Sequence, residues 1–108
     1  MILDIERLRA YCINEKIVYS KHFLDRCRER NIQLTEAEFA ILNGEIIEEY
    51  PDDYPYPSCL ILYEDFGHNF IHVVCAQGPE CLYMISAYRL SSEKWEPDMK
   101  TRKEASSK

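Results

Sequence analysis

An α+β fold, with N-terminal helices packed on a twisted antiparallel sheet of about four strands, is predicted by three features of this chain. Apolar residues recur at helical spacing up to Asn43. From Glu45 to Tyr88 they fall into short β-rich runs. Glycine, proline and asparagine clusters separate those runs at the intervals a meander requires.

Asp4 to Glu15 carries Ile5, Leu8, Tyr11 and Cys12 on one helical face, with Asp4 as cap. Lys16-Ile17-Val18-Tyr19 is short and β-branched, a brief strand or an extended entry to the next helix. In the stretch Ser20 to Asn31, Phe23, Leu24 and Cys27 point toward a core. Ser20 caps the helix and Asn31 suits the left-handed residue that ends one. Thr35 with Glu38 forms a capping-box signature ahead of a third, short helix closed by Asn43-Gly44. Glu45 to Tyr50 reads as a strand stopped by Pro51, and Asp52 to Pro57 as a proline-rich loop. Strands over Ser58 to Glu64, Asn69 to Ala76 and Cys81 to Tyr88 follow, joined by Asp65-Phe66-Gly67-His68 and Gln77-Gly78-Pro79-Glu80. Ser91 to Lys108 turns polar, with Trp95 as its apolar anchor and a tail expected to fray after about residue 100.

A chain of 108 residues, 46% hydrophobic, fits one domain spanning 1–108. It contains no long apolar run and no basic leader, so a cytoplasmic protein without membrane attachment is expected. The five cysteines form no C-x-x-C pair and fall in apolar segments, which points to reduced core thiols rather than metal ligands. A net charge of -6 argues against nucleic-acid binding over the whole surface. Its distribution is uneven. Between Lys16 and Asn31 there are five Lys or Arg against two acids, while Glu45 to Asp53 holds five acids and no base.

His22, Arg26 and Arg30 recur every four residues and form one stripe on the second helix, with Lys21 beside them. A histidine flanked by guanidinium groups is the equipment for holding a phosphodiester and moving its protons. The alternative is a solvated face with intrahelical pairs such as Arg26 with Glu29 and Asp25 with Arg28. His72 lies inside the apolar strand Phe70 to Val74, either a satisfied half-buried histidine or, if its face meets the second helix, the partner of His22. Tyr88 and Arg89 end the last strand, where reactive groups are often displayed, though Tyr88 could equally close the core. Ser86 would share a face with one set or the other depending on register. Tyr50, Tyr54, Tyr56 and Tyr63 surround the proline-rich loop, suited to stacking on nucleobases or to contacts with a partner protein. No glycine-rich phosphate loop, nucleophile elbow, zinc spacing or dinucleotide fingerprint occurs, so no cofactor is expected.

The residues Tyr19-Ser20-Lys21-His22, Arg26, Arg28-Glu29-Arg30, Asn43 to Asp53, Tyr56 to Leu60, Ile71 to Val74 and Ala87-Tyr88-Arg89, with Trp95, resemble the family of domain of unknown function 4258. Where that family commonly has glycine after the second arginine, this chain has Asn31. The family is similar to the RelE and ParE toxins, small α+β proteins of prokaryotic toxin-antitoxin systems. The resemblance implies a toxin-like, metal-independent endoribonuclease neutralised by a cognate antitoxin carrying a helix-turn-helix or other DNA-binding domain, or a zinc ribbon. It also implies catalytic roles for His22, Arg26, Arg30, His72 and Tyr88, with Lys21 and Arg89 binding RNA. A non-catalytic protein-binding module and a gyrase poison are the other functions the same resemblance allows.

Overall fold

The computed structural model describes residues 2–90 and Lys100; the expected anchor Trp95 and most of the polar tail lie outside them. Three helices and five strands follow the order α1 (Ile5–Ile13), β1 (Ile17–Tyr19), α2 (Lys21–Glu29), α3 (Leu34–Asn43), β2 (Glu45–Tyr50), β3 (Ser58–Glu64), β4 (Phe70–Gln77) and β5 (Leu82–Arg89). The sheet order is β1-β5-β4-β3-β2.

Strands β2 to β5 form the antiparallel meander the turns call for. The expected sheet of about four antiparallel strands is corrected by β1, which runs parallel to β5 and pairs Ile17 with Leu82 and Tyr19 with Met84. The sheet is therefore mixed and five-stranded. A three-residue strand has too little pattern to declare a partner that lies more than sixty residues away.

Alternation along the strands sorts side chains to two faces. Cys59, Ile61, Ile71, Val73, Cys75, Leu82, Met84 and Ala87 meet Leu8, Cys12, Phe23, Cys27, Ala37 and Ile41 from the helices in one buried cluster. Ser58, Leu60, Leu62, His72 and Ala76 have the opposite parity and are also buried. Four of the five cysteines are buried, and Cys59 and Cys75 sit opposite each other with sulfurs 4.0 Å apart.

Helix ends follow the expected chemistry with one change. Asp4 accepts from the Glu6 N–H and Ser20 from the Phe23 N–H. At α3 the cap is Gln33 in place of Thr35, because the helix begins early enough for Glu36 to occupy the third position and accept the Gln33 N–H at 3.1 Å. Glu38, left out of that role, accepts the Tyr19 hydroxyl. Burial, then that bond, raises the Tyr19 hydroxyl pKa.

Two side chains lock the architecture. Arg9 donates from Nε to Ile41 O at 3.0 Å and from Nη2 to Gly44 O at 2.9 Å, satisfying carbonyls at the end of α3. Buried Gln77 donates to Ile2 O at 2.9 Å and accepts the Asp4 N–H at 2.8 Å, fixing the N-terminal entry to α1. Gly44 is required by close approach: a Cβ there would lie 2.4 Å from Leu62 O and 2.5 Å from Ala40 O. Among the described residues no helix is long and apolar enough to cross a membrane.

Candidate functional site at the end of β5

The last three residues of β5 gather side chains from three other parts of the fold. Helix α2 ends where Asn31 adopts φ 57, the left-handed conformation that asparagine tolerates and that glycine would reach freely. The turn buries Ile32 and offers Asn31 O outward, where Arg89 donates to it at 3.2 Å and to Glu36 at 3.0 Å. Arg30, immediately before the turn, donates from Nη1 to Ala87 O at 2.8 Å. Between them Tyr88 points to the other face, its hydroxyl 3.2 Å from His72 Nδ1 and the two rings edge-on at 5.4 Å.

Arg30 and Arg89 thus reach the end of β5 from the helix side, while the His72–Tyr88 pair occupies the opposite face of the same strand end. His72 has no exposed surface and Tyr88 is half-buried, so the tyrosine hydroxyl is the more accessible member of their pair. Direct partnership of His72 with His22 required its sheet face to meet α2. The register Leu62–His72–Tyr88 instead sets it opposite in parity to Ile71 and Val73, which face the helices.

The remaining candidates lie up α2. Lys21 and His22 occupy its first turn, roughly 12 Å along the axis from Arg30. His22 is exposed and, among the described residues, makes no hydrogen bond or ion pair. Lys21 pairs with Asp25 at 2.8 Å, Arg26 with Glu29 at 2.9 Å and Arg28 with Asp25 at 3.4 Å. The intrahelical pairs of the alternative reading are therefore formed. Such exposed pairs are worth only about 0.3–0.5 kcal/mol each and yield readily to a polyanion. Ser86 shares the His72 face, opposite Val74.

Local electrostatics at this end are mixed. Asp65, in the β3–β4 turn, is held below the usual carboxylate range chiefly by the Asn69 backbone N–H, with Arg89 adding to the effect. His68 in the same turn is raised above 6.5, first by its hydrogen bond to Glu64 at 2.7 Å and then by that carboxylate's charge. Cys27, on α2 among the arginines, is pushed up because burial outweighs the opposing pull of Arg30.

The tyrosines of the proline-rich region divide between faces. Tyr63 packs against the helix-side core. Tyr56 stacks on Tyr83, centroids 5.3 Å apart, and Tyr54 is 95% exposed. Sequence reasoning left out Tyr83, although its position one residue past the Gly78–Cys81 turn's partner strand start made it an alternating outward residue. It also left out Glu36, which a helix N-terminus seldom advertises as a partner for a distant arginine.

The family described as Domain of unknown function (DUF4258) matches residues 19–89, an interval holding α2 and all of β5. No curated protein and no solved structure matches the chain.

Proposed function

The chain belongs to the DUF4258 family, and from that premise we propose a RelE-like toxin that acts as a metal-independent endoribonuclease in the cytoplasm and is held in check by a cognate antitoxin. The observation that carries the reading is that the end of β5 holds Arg30 and Arg89 on its helix side and the His72–Tyr88 pair on its other side, so that an RNA strand crossing that end would meet both sets. In this mechanism the ribose 2′-oxygen passes its proton to water and attacks the adjacent phosphorus, and the bond to the 5′-oxygen breaks as that oxygen takes a proton from the Tyr88 hydroxyl, which water then reprotonates. The products are a 2′,3′-cyclic phosphate and a 5′-hydroxyl end. Arg30 and Arg89 stabilise charge developing on the phosphoryl oxygens, since each guanidinium has donors beyond those used for backbone carbonyls. Tyr88 supplies a proton-carrying hydroxyl at the phosphate, and buried His72 is a positioning residue that orients it. Lys21, His22 and Arg26, one and two turns away on α2, hold neighbouring phosphates of the strand.

Induced expression should arrest growth, and purified protein should cut RNA in the presence of a chelator. His22→Ala combined with Arg26→Ala should relieve the arrest without changing the circular dichroism spectrum, both side chains lying outside the core. Unaffected growth together with intact RNA would overturn the ribonuclease reading.

One observation favours a second reading, a non-catalytic protein-binding module. Lys21, Arg26, Arg28 and Arg89 each already hold a carboxylate, and a partner's acidic side chains could exchange with those. In that case the arginine variants would lose the partner while no RNA is cut by any form.

A further inference from the structure

At the opposite end of β5, on the face turned away from the helices, a cavity of about 400 Å³ opens between the proline-rich loop and the start of the strand. Its walls are the rings of Tyr54, Tyr56 and Tyr83, with Pro55 and Ile85, and among the described residues Asp53 is the one charged member of its lining. Tyr56 and Tyr83 lie nearly parallel, at 17°, and support each other. Tyr54 stands 95% exposed at the rim, and Ile85, the extra residue where β4 and β5 slip register, is 43% exposed. Large aromatic and aliphatic side chains left open around a concavity mark a contact surface.

The charge around the cavity selects what it contacts. Asp53 accepts the Ser58 hydroxyl through one oxygen, leaving the other for a ligand. Exposed Asp52 follows the strand that carries Glu48 and Glu49, and no Lys or Arg lies between Glu45 and Asp53. Tyrosine faces would stack on nucleobases as readily as on cations, but a phosphate chain brought here would meet the Asp53 carboxylate and, among the described lining residues, no cation. A guanidinium suits both features: its plane stacks on a tyrosine ring and its donors engage a carboxylate.

We propose that this cavity is a docking site for an arginine-bearing segment of a partner protein. It is separate from the strand end assigned above to RNA and does not depend on that assignment. The arginine side chain lies against Tyr54 and Tyr56 and donates to Asp53, while neighbouring residues of the segment cover Ile85.

The test is fluorescence anisotropy on the full chain, with a labelled peptide of alternating arginine and glycine, a matched lysine–glycine peptide and a short oligouridine as probes. The arginine peptide should bind more tightly than the lysine peptide. Tyr54→Ala, a change at a side chain too exposed to matter for folding, should weaken it by about two- to fivefold. Asp53→Asn should weaken it as well, while Glu15→Gln, the same charge change on an exposed residue of the α1–β1 turn, should leave it within twofold. Equal weakening by Glu15→Gln and Asp53→Asn, with no effect of Tyr54→Ala, would reduce the result to bulk attraction by an acidic protein and overturn the proposal. Tighter binding of oligouridine that depends on Tyr54 would overturn it in favour of a nucleic-acid surface.

Discussion

The two ends of β5 are built from similar parts and differ in the charge beside the strand, an acidic end with Asp53 and a basic end where Arg30 and Arg89 stand among carboxylates. Each end displays a tyrosine on the face away from the helices, Tyr83 at the start and Tyr88 roughly 16 Å further on. At the start the tyrosine stacks on another ring beside Asp53. At the end it bonds a buried histidine, with Arg30 anchored to the preceding Ala87 carbonyl and the following Arg89 held by Asn31 O and Glu36. A net charge of -6 averages over these two environments and describes neither. The lesson concerns which elements each end borrows. The basic end receives α2, which carries Lys21, Arg26 and Arg28, because the parallel β1–β5 pairing brings the chain into α2 beside β5. The acidic end receives the β2–β3 loop through the antiparallel meander.

Removing the tyrosine hydroxyls one at a time separates the two ends by the largest margin. Tyr88→Phe should lower RNA cleavage by about 10²- to 10⁴-fold, the usual scale for removing a group that moves a proton. Tyr83→Phe should leave cleavage unchanged. Single-turnover cleavage rates for both variants decide the matter, and equal effects at the two positions would mean that neither end is catalytic. His72→Gln, which can still accept a hydrogen bond from Tyr88, should retain more activity than His72→Leu if the histidine acts by positioning.

Much of this organisation is legible in the sequence. Short apolar runs between turn residues place the four meander strands to within a residue or so, because glycine, proline and asparagine clusters bound each run. Asn31 was readable as a left-handed helix end, since few residues other than glycine adopt that conformation. The α3 cap was misplaced because Thr35 and Glu38 fit the capping pattern as well as Gln33 and Glu36 do, and only the packed position of the helix chooses between them. What escaped was long-range geometry. Nothing local tells Arg30 to seek the carbonyl of Ala87, 57 residues on, or tells His72 which face of the sheet it occupies. The spacing of four that singled out His22, Arg26 and Arg30 holds on the helix. The fold then joins Arg30 to Tyr88 and Arg89 and leaves His22 two turns away.

A smaller effect sharpens the contrast in stability. Gln77 at the acidic end is wholly buried and answers two backbone groups of the N-terminal segment, so Gln77→Leu leaves Asp4 N–H and Ile2 O without their partners. A cost of about 1–3 kcal/mol is expected from the urea midpoint at unchanged slope. Arg30→Met at the basic end removes one bond from a residue with solvent nearby and should cost less, about 0.5–1.5 kcal/mol, while its effect on cleavage is far larger. A Gln77→Leu protein as stable as the parent would show that the N-terminal entry to α1 is not held from β4.

The smallest effect comes from pH, and it belongs to the basic end alone. His68 stands in the turn beside Glu64 and Asp65, within the field that also includes Arg89, and Glu64 raises its pKa above the ordinary 6.5. A raised folded pKa means that the His68–Glu64 bond contributes its full stability below the ordinary histidine value and loses it as pH climbs through the folded one. Both groups are exposed, so this contribution to folding is slight. Its consequence for RNA has the same sign: protonation adds a positive charge at the strand end, and affinity should increase as pH falls through the His68 midpoint. Using the Tyr88→Phe protein to avoid cleavage, oligouridine binding should strengthen by about twofold on lowering pH from 8 to 6. The His68 midpoint, followed by proton NMR, should lie above 6.5 in the parent and drop in Glu64→Gln. The arginine peptide at the other end should show no increase over the same range, since no histidine is among the described residues lining its cavity. A pH dependence of RNA binding that survives in His68→Gln would place the titrating group elsewhere, with exposed His22 on α2 the next to test.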